Sequence, residues 1–540
     1  MEVELILREP TPCYRAYMEL DLSHTASLVY RSSNNMVPAF TGPNWACTNG
    51  YDVIYPSQDV IIAGDQLNSR YILLGALTAH RSLTYFELHR SGRNVGISVT
   101  QPMIKLGETP EKLIKLEGSD WRELLVEYAN KSAAAMGVGA IEPKRNMTGY
   151  CTWYYYYAGV TEANFLENLA ALKAARNSCF SADVVQIDDG YQTFQGDWLD
   201  QDPEWPTPLA EIARRITDAG MTPGLWTMPL LVSTASRVYR EHPEWFVRNA
   251  DGKPQIMPGW SPPPDDEWVC LDATNEEVLE HLRMTYKTFW SWGFRYFKFD
   301  GLGFCLPYGG RADKSATPVE AFRRGMMAIR EAVPEATILG CGAPFMPVLG
   351  IVDNCRVSPD TARNWLNPDS ETDQPLNADP IPGWLGMASA YHATLGNWWM
   401  VDRWFRADPD VIMARQDNSN ATLGEARLSA AGGILTGVAI TSDHLGTIAP
   451  DRLALLGRTA RYRLKEARPH NWVCNRWPYA FTGTVDGKKA ALLLNDSNEP
   501  ITFKFAELGL SASCRELLQE AGEVVDSFTL APHDAALITE

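Results

Sequence analysis

The sequence predicts a multidomain protein: a central (β/α)8 barrel of the TIM type, flanked by an N-terminal β-sandwich and a small C-terminal antiparallel β-domain. Short apolar segments alternate with helical segments between residues 144 and 465, which is typical of a parallel sheet. On either side of this region, period-two alternation is interrupted by turn residues. A chain of 540 residues is also long enough for about two to four domains.

The N-terminal domain is predicted over residues 1–143, where short strands are separated by Gly, Pro and Asn clusters. Its last element is a predicted helix over 120–136 with Ser119 as N-cap, followed by a Gly-Val-Gly linker. The strands are expected at Val3–Leu7, Tyr17–Leu22, Val60–Ala63, Tyr71–Leu77, Leu83–His89 and Val95–Thr100.

The barrel domain is predicted over residues 144–465, because six clear βα units and two weaker ones follow one another there. No Gly-x-Gly-x-x-Gly motif follows the first strand, which disfavours an open dinucleotide-binding sheet. Helices are expected at 162–175, 209–219, 276–290 and 318–332. Strands are expected at Thr148–Trp153, Asp183–Asp188, Thr222–Met228, Arg295–Asp300, Thr337–Gly342 and Asp353–Val357, and near Asn397–Met400 and Gly433–Thr441.

The C-terminal domain is predicted over residues 466–540, where the alternation typical of antiparallel strands returns. Its strands are expected at Tyr479–Thr484, Lys489–Leu494, Ile501–Phe505, Cys514–Leu518 and Ala535–Ile538. No residue pattern in this segment indicates chemistry.

Composition narrows the class of protein. The formal net charge of −18 argues against nucleic acid and against an anionic membrane surface as partners. The sequence shows neither a signal-peptide pattern nor a window approaching the roughly 18 apolar residues of a membrane span. Its ten cysteines are scattered without a Cys-x-x-Cys pair, so we expect a cytoplasmic protein with reduced thiols. The 18 tryptophans suit sugar-binding platforms, but large cores and homo-oligomer interfaces use them equally.

The segment Tyr296–Asp300 lies at the end of an apolar stretch and contains two charged residues. Strand periodicity places Lys298 and Asp300 on one face and two phenylalanines on the other. Charged side chains are costly to bury in a plain core, and barrel enzymes carry their chemistry at the carboxyl ends of the strands. Asp300 is therefore the first candidate for a reacting carboxylate. The alternative is a buried Lys–Asp pair that only organises the strand end.

Other predicted strand ends carry residues suited to the same site. Asp188 and Asp189 end the second strand, and adjacent carboxylates repel unless hydroxyl groups or a cation lie between them. Trp226 would form an aromatic wall at the end of the third strand, and Cys341 offers a small side chain after the fifth. A hydroxyl-rich ligand and a metal both fit this pattern. Loop capping and surface ion pairs are the structural alternative.

A second reacting carboxylate is expected after the sixth strand. Arg356 lies on that strand, and Asp360 follows it past a turn at a proline. Two aspartates facing each other across a barrel suit glycoside hydrolysis, in which one attacks the anomeric carbon and the other protonates the leaving oxygen. Lys298 should keep Asp300 ionised, whereas Asp360 would need a raised pKa, which Arg356 opposes unless it faces the sugar.

Metal and cofactor chemistry are disfavoured. The nine histidines show no metal-ligand spacing, and the fifth strand ends in Gly-Cys-Gly where an enolase-type site needs a carboxylate. We therefore expect no metal and no cofactor. A Schiff-base aldolase using Lys298 is the best chemical rival, but it leaves Asp360 and the many tryptophans unexplained.

The barrel sequence also resembles family 36 glycoside hydrolases, the bacterial α-galactosidases and their relatives. The N-terminal domain is short for that family, and the segments Gly301–Cys305 and Arg363–Trp365 depart from its usual pattern. The motifs that carry the resemblance are Cys151–Tyr157, Thr161-Glu162, Leu166–Leu169, Gln186–Gln192, Gly196–Trp198, Gly224–Trp226, Tyr239–Gly252, Leu271-Asp272, Lys298–Asp300, Gly340–Gly342, Cys355–Asp360, Asp408–Asp410 and Thr441–Asp443.

The resemblance implies a retaining exo-α-glycosidase, foremost an α-galactosidase acting on oligosaccharides or other glycosides. Asp300 would be the nucleophile and Asp360 the acid/base. The same machinery with another specificity leaves α-N-acetylgalactosaminidase, another α-glycosidase and galactosyl transferase open, and a sugar-binding pseudo-enzyme is a remoter alternative. The residues expected around the sugar are Asp188, Asp189, Trp226, Lys298, Cys341 and Arg356, together with Trp45 from the N-terminal domain.

Overall fold

The structure is a computed structural model. It describes residues 13–19, 28–31, 44–47, 53–65, 69–91, 94–105, 107–141, 146–176, 179–261, 263–366, 386–470 and 479–540. The predicted strand Val3–Leu7 lies outside these residues. Searched over the described ranges, the helices include none with the length and apolar character needed to cross a membrane.

Eight parallel strands form the predicted barrel, which is confirmed. Numbered along the chain as barrel strands 1–8, they are hydrogen-bonded in the order 7-6-5-4-3-2-1-8. Strands 7 and 8 approach through an isolated bridge between Ile412 and Thr441, so the barrel is nearly closed. The strands are Met147–Cys151, Val184–Ile187, Thr222–Thr227, Tyr296–Phe299, Thr337–Gly340, Asn354–Arg356, Arg406–Asp408 and Val438–Thr441.

The barrel helices begin at sequence-encoded caps. Thr161, Thr317 and Thr422 each cap a helix in a reciprocal capping box with the third helical residue. Two predicted helices, Glu162–Ala175 and Pro318–Ala332, are confirmed to the residue. The α-helices are Trp121–Ala135, Trp153–Tyr156, Glu162–Ala175, Leu209–Asp218, Arg237–Glu241, Glu276–Ser291, Pro318–Ala332, Phe345–Val348, Met387–Gly396, Leu423–Thr436 and Pro450–Arg461; the 3-10 helices are Tyr157–Gly159, Pro243–Trp245, Leu302–Cys305, Trp398–Met400 and Phe505–Leu508.

Two predicted element positions are wrong. The segment near Asn397–Met400 contains a 3-10 helix, and barrel strand 7 lies instead at Arg406–Asp408. The segment Asn397–Met400 is apolar because Trp398 and Trp399 pack on aromatic residues of the helix that follows the N-terminal sheets. A short apolar run does not by itself distinguish a strand from a helix. Strand 8 is shorter than predicted, because the preceding helix continues to Thr436 and ends at a left-handed glycine.

Two antiparallel sheets form the N-terminal sandwich. The middle strands of the larger sheet are buried on both faces: Ile61 and Ala63 pack between the two sheets, whereas Val60 and Ile62 pack toward the barrel. The following helix is capped by Asp120 rather than by the predicted Ser119, because the Asp120 carboxylate accepts the Arg122 backbone N–H. In spatial order, the sheets are Cys13–Glu19, Asn94–Pro102, Tyr85–Ser91, Val53–Gln58 and Asn44–Cys47, Leu28–Arg31, Val60–Asp65, Arg70–Ala76, Leu113–Gly118.

The remaining sheets follow barrel strand 3 and barrel strand 8. A three-stranded antiparallel insert packs beside the carboxyl end of strand 3, and the C-terminal domain pairs a six-stranded sheet with a two-stranded ribbon. In spatial order, the insert is Leu231–Ser233, Glu267–Cys270, Ile256–Pro258; the large sheet is Lys465–Pro469, Ala480–Val485, Lys488–Asn495, Asp534–Thr539, Ser513–Glu516, Gly522–Val525; and the ribbon is Ile501–Lys504 with Ser527–Leu530.

Candidate active site

The carboxyl ends of barrel strands 2–6 bring together eight of the nine sequence-predicted site residues. Direct contacts connect them, among which are those of Lys298 with Asp188, Trp226 with Asp300, and Arg356 with Asp360. Asp189 follows Asp188, and the thiol of Cys341 hydrogen-bonds to Asp300. Parallel strands place their carboxyl ends at one rim, and the side chains meet there from distant parts of the sequence.

Asp300 is held immediately after barrel strand 4 by donors on both carboxylate oxygens. The Trp226 indole N–H donates to Oδ2 at 3.1 Å, and the Gly301 backbone N–H donates to Oδ1 at 2.7 Å. Burial by itself would raise the pKa of Asp300. The charges of Lys298 and Arg356, with the hydrogen bonds from Cys341 and Trp226, nevertheless hold that pKa below its ordinary value. Asp300 is therefore an ionised carboxylate.

Asp360 has the opposite electrostatic setting. Its side chain is 40% exposed and lies 2.5 Å from the Arg356 guanidinium. Desolvation raises the pKa of Asp360 above its ordinary value, and the nearby carboxylates of Asp410 and Asp300 add to this rise against the charge of Arg356. The two candidate reacting groups thus have pKa values displaced in opposite directions.

Lys298 is buried in an ion pair across the barrel. Its Nζ lies 2.9 Å from Oδ2 of Asp188, which also accepts from the side-chain amide of Gln186 at 2.5 Å and the thiol of Cys151 at 3.3 Å. Burial would lower the pKa of Lys298, but the adjacent Asp188 charge holds it well above its ordinary value. Lys298 is a permanent cation in this site.

Asp189 closes the other side of the pocket. It is 5% exposed, accepts from the Gln192 amide at 2.5 Å, and lies 3.4 Å from the Gln195 amide. Burial raises the pKa of Asp189 to about 7, and the charges of Asp188 and Asp265 act in the same direction. The amides of these glutamines fix its orientation but supply no positive charge.

Sequence reasoning missed Asp410 as a site residue, although it lies in a motif of the family resemblance. Its carboxylate lies 3.6 Å from the Arg356 guanidinium, accepts the Thr361 backbone N–H at 2.9 Å, and accepts the Tyr154 hydroxyl. Because Thr361 follows Asp360, Asp410 fixes the loop that carries Asp360. The sequence signals were its place in the Asp408–Asp410 motif and its position two residues past barrel strand 7.

Two of the nine predictions need separate comment. Trp226 is almost completely buried and packs edge-to-face on Trp198, so its indole N–H rather than an exposed ring reaches the nucleophile candidate. Trp45 lies in the strand Asn44–Cys47, and its side chain is outside the described part of the structure. The assignment of Trp45 to the pocket stays a prediction.

Comparison with known proteins gives one family match. Residues 182–303 match the Melibiase family model, and this range contains barrel strands 2–4. An A-type blood α-D-galactosamine galactosaminidase from Flavonifractor plautii is 32% identical over 22% of the chain, and α-galactosidase AgaA from Geobacillus stearothermophilus is 24% identical over 33%. The matched segments amount to only 11% and 25% of those relatives' own lengths.

Solved structures extend the likeness over the whole architecture. TtGalA, an α-galactosidase from Thermus thermophilus solved in complex with p-nitrophenyl α-D-galactopyranoside, superposes with a TM-score of 0.69 at 23% identity, covering 89% of this chain and 95% of that one. The structure of AgaA, a GH36 α-galactosidase, gives a TM-score of 0.64 at 12% identity over 97% of this chain and 77% of its own. The chain thus has the multidomain fold of these α-galactosidases, and its residues 182–303 resemble the Melibiase family.

Proposed function

We propose that the chain is a retaining exo-α-galactosidase that releases terminal α-linked galactose from oligosaccharides by double displacement. The observation that carries the proposal is the pair Asp300 and Asp360: two aspartates that follow barrel strands 4 and 6 at the same rim, with pKa values displaced downward and upward respectively. A retaining glycosidase needs one ionised carboxylate and one protonated carboxyl at neutral pH.

In the first step, an Asp300 oxygen attacks the anomeric carbon from the β face while the C1–O bond to the leaving group breaks. Asp360 transfers its proton to the departing oxygen, so the leaving group departs as a neutral alcohol. Trp226 and the Gly301 backbone N–H hold the attacking carboxylate in place through the two hydrogen bonds already described. The product is a β-galactosyl ester of Asp300.

In the second step, Asp360 is a carboxylate and removes a proton from water. The water oxygen attacks the anomeric carbon, and the ester bond to Asp300 breaks. Two inversions give net retention. Asp188 and Asp189 supply acceptors and Lys298 a cationic donor for the ring hydroxyls at the inner end of the pocket, and Arg356 supplies further N–H donors nearer the reaction centre.

The state of Lys298 argues against the Schiff-base alternative. An amine nucleophile must be neutral, and catalytic lysines reach that state through a lowered pKa. The ion pair with Asp188 raises the pKa of Lys298 instead. A binding role for Lys298 fits this charge better than a covalent one.

A second specificity is supported by one relative. The Flavonifractor plautii galactosaminidase shares 32% identity over 122 residues, so α-N-acetylgalactosaminide hydrolysis is the alternative with the same machinery. The test is a panel of p-nitrophenyl α-glycosides that includes the galactoside, the N-acetylgalactosaminide and the glucoside. We expect the highest kcat/KM on the galactoside; a preference for the N-acetylgalactosaminide would replace the first proposal with the second, and inactivity on the whole panel would contradict both.

We also propose the cytoplasm as the compartment. Six buried cysteines, Cys151, Cys270, Cys305, Cys341, Cys355 and Cys514, carry thiols, and buried thiols are typical of a reducing environment. Cys341 and Cys151 both hydrogen-bond to carboxylates of the pocket, so the site itself would be altered by thiol oxidation.

A further inference from the structure

Two exposed aromatic rings lie together beside the candidate nucleophile. Trp260 is 45% exposed and Phe304 is 39% exposed, and their ring centroids are 6.2 Å apart. Most large exposed apolar side chains are scattered singly on protein surfaces and need no explanation. These two contact each other, and we call them the Trp260–Phe304 platform.

Buried contacts hold the platform in place. Both rings pack edge-to-face on Trp268, at centroid distances of 4.3 and 5.8 Å. Trp268 is completely buried and donates its indole N–H to the side-chain oxygen of Gln195 at 2.6 Å. The exposed rings therefore rest on a rigid support, which lowers the entropic cost of using them for binding.

The platform lies at the rim of the proposed galactose pocket. Phe304 belongs to the 3-10 helix Leu302–Cys305, which begins two residues after Asp300. A methyl group added at Gly301 would lie 3.5 Å from Cη2 of Trp260, so the indole is directly beside the residue that follows the nucleophile.

Hydrogen bonds connect the same loop to the opposite wall of the pocket. The Gln195 side-chain amide donates to the hydroxyl of Ser261, the residue after Trp260, at 3.0 Å, and it lies 3.4 Å from Asp189. The platform thus borders both the Asp300 and the Asp189 sides of the rim.

We propose that the Trp260–Phe304 platform binds the leaving-group part of the substrate, and that the group it selects is an uncharged sugar ring presenting its C–H face. This inference rests on the proposed function. Galactose itself is assigned to the polar interior, so the ring next in line at the rim belongs to the leaving group. Aromatic faces bind the apolar faces of sugars. Asp266 and Glu267 are exposed on the same loop, which disfavours an anionic leaving group.

The test compares two substrates that differ only in the leaving group. Raffinose carries a sugar at that position, whereas α-galactosyl fluoride carries no ring. For Trp260→Ala we expect kcat/KM on raffinose to fall about tenfold, equivalent to ~1.4 kcal/mol, with KM rising more than kcat falls. On α-galactosyl fluoride we expect a change within about twofold, which also establishes that the variant is folded.

Two further variants control the measurement. Trp260→Phe should retain most of the raffinose activity, because it keeps an aromatic face. Met284→Ala removes another exposed apolar side chain, 49% exposed on the helix Glu276–Ser291, and should leave both substrates unaffected.

The outcomes separate this inference from the proposed function. If the wild-type protein hydrolyses both substrates and Trp260→Ala treats them alike, the platform proposal is overturned and the function stands. If the wild-type protein hydrolyses neither, the function fails and the platform proposal fails with it. If Trp260→Ala changes the oligomeric state in light scattering, the platform is a protein interface and the proposal is overturned.

Discussion

The two ends of the candidate pocket use carboxylates in different ways. At the inner end, Asp188 and Asp189 are 2% and 5% exposed and are surrounded by side-chain donors. At the rim, the Asp360 side chain is 40% exposed and its ion-pair partner Arg356 is shared with Asp410. The inner carboxylates are fixed by their neighbours, whereas the rim carboxylate keeps access to a substrate oxygen.

This difference corresponds to two roles, since one set of carboxylates would bind the substrate hydroxyls and the other would take part in the reaction. A carboxylate that orients hydroxyl groups benefits from a rigid environment, because its charge state need not change. A raised pKa is not sufficient for a carboxyl that gives up and regains a proton, since the buried Asp189 also has one; such a carboxyl needs in addition an open side from which water can enter. Asp300 transfers no proton and needs the rigid environment instead, since it is held by two hydrogen bonds and stays ionised.

The strongest test of the reacting end is Asp300→Ala. It should lower kcat on p-nitrophenyl α-galactoside by about 10⁴-fold or more, because no covalent intermediate can form. Added azide should restore turnover and give β-galactosyl azide, since the small anion then attacks from the vacated face. Product configuration is measured by NMR.

The folded state provides the control for that variant. Far-UV circular dichroism and the melting temperature should stay close to those of the wild-type protein, because Asp300 serves chemistry rather than stability. Hydrolysis at more than about a tenth of the wild-type rate would exclude Asp300 as the nucleophile.

Asp360→Ala should affect substrates according to their leaving groups. We expect a loss of about 10³-fold in kcat/KM on raffinose, whose leaving oxygen needs a proton, and a much smaller loss on p-nitrophenyl α-galactoside. Azide should here give α-galactosyl azide, because the nucleophile is intact and the acceptor enters on the α face. Equal losses on both substrates would contradict the acid role.

The sequence predicted this site well where local rules apply. Period-two alternation placed Lys298 and Asp300 on the pocket face, and the alternating Phe297 and Phe299 pack on Tyr286 behind the strand. The helices that begin at Glu162 and Pro318 were also predicted from their local pattern, and in the structure both begin at capping boxes. Both signals depend on neighbours within a few residues, which a sequence displays directly.

The unpredicted part depends on contacts between distant segments. Asp410 bonds to Tyr154, which lies 256 residues away, so its role beside Arg356 becomes visible only in the folded chain. The same reason hid the Trp260–Phe304 platform, whose members come from different loops. The misplaced strand 7 is another case, because its apolar run serves packing against the N-terminal domain.

The inner end is tested by breaking its ion pair. Lys298→Met leaves Asp188 buried without a cationic partner, which should lower the free energy of unfolding by about 3 kcal/mol. The double variant Lys298→Met/Asp188→Asn should recover much of this stability, because no unpaired charge remains, yet stay impaired in KM. Urea unfolding measures the first effect and steady-state kinetics the second.

The exposed pair Arg214–Asp218 is the matched control for that experiment. Both side chains are 60% exposed at a distance of 2.6 Å, so Asp218→Asn should leave the urea midpoint unchanged. If Lys298→Met also leaves the urea midpoint unchanged, the ion pair between Lys298 and Asp188 does not stabilise the fold as proposed.

The smallest expected effect concerns Arg356, whose charge is shared by Asp360 and Asp410 at the rim. In the wild-type protein Asp360 faces the cations Arg356 and Lys298 and the carboxylates Asp410 and Asp300. Asp410→Asn keeps one oxygen that can accept from Thr361 and Tyr154 but removes one negative charge, so the pKa of Asp360 should fall. The acid then loses its proton at a lower pH, and the alkaline limb of kcat/KM should move to lower pH.

The neighbouring pair Tyr155–Asp417 distinguishes this charge effect from general damage to the loops. Asp417 accepts the Tyr155 hydroxyl at 2.8 Å, as Asp410 accepts that of Tyr154, but its charge is not among the largest influences on the pKa of Asp360. Asp417→Asn should therefore leave the alkaline limb in place. If Asp410→Asn loses activity equally at every pH and the alkaline limb does not move, Asp410 only anchors the loop. The charge of Arg356 would then act on Asp360 without being shared with Asp410.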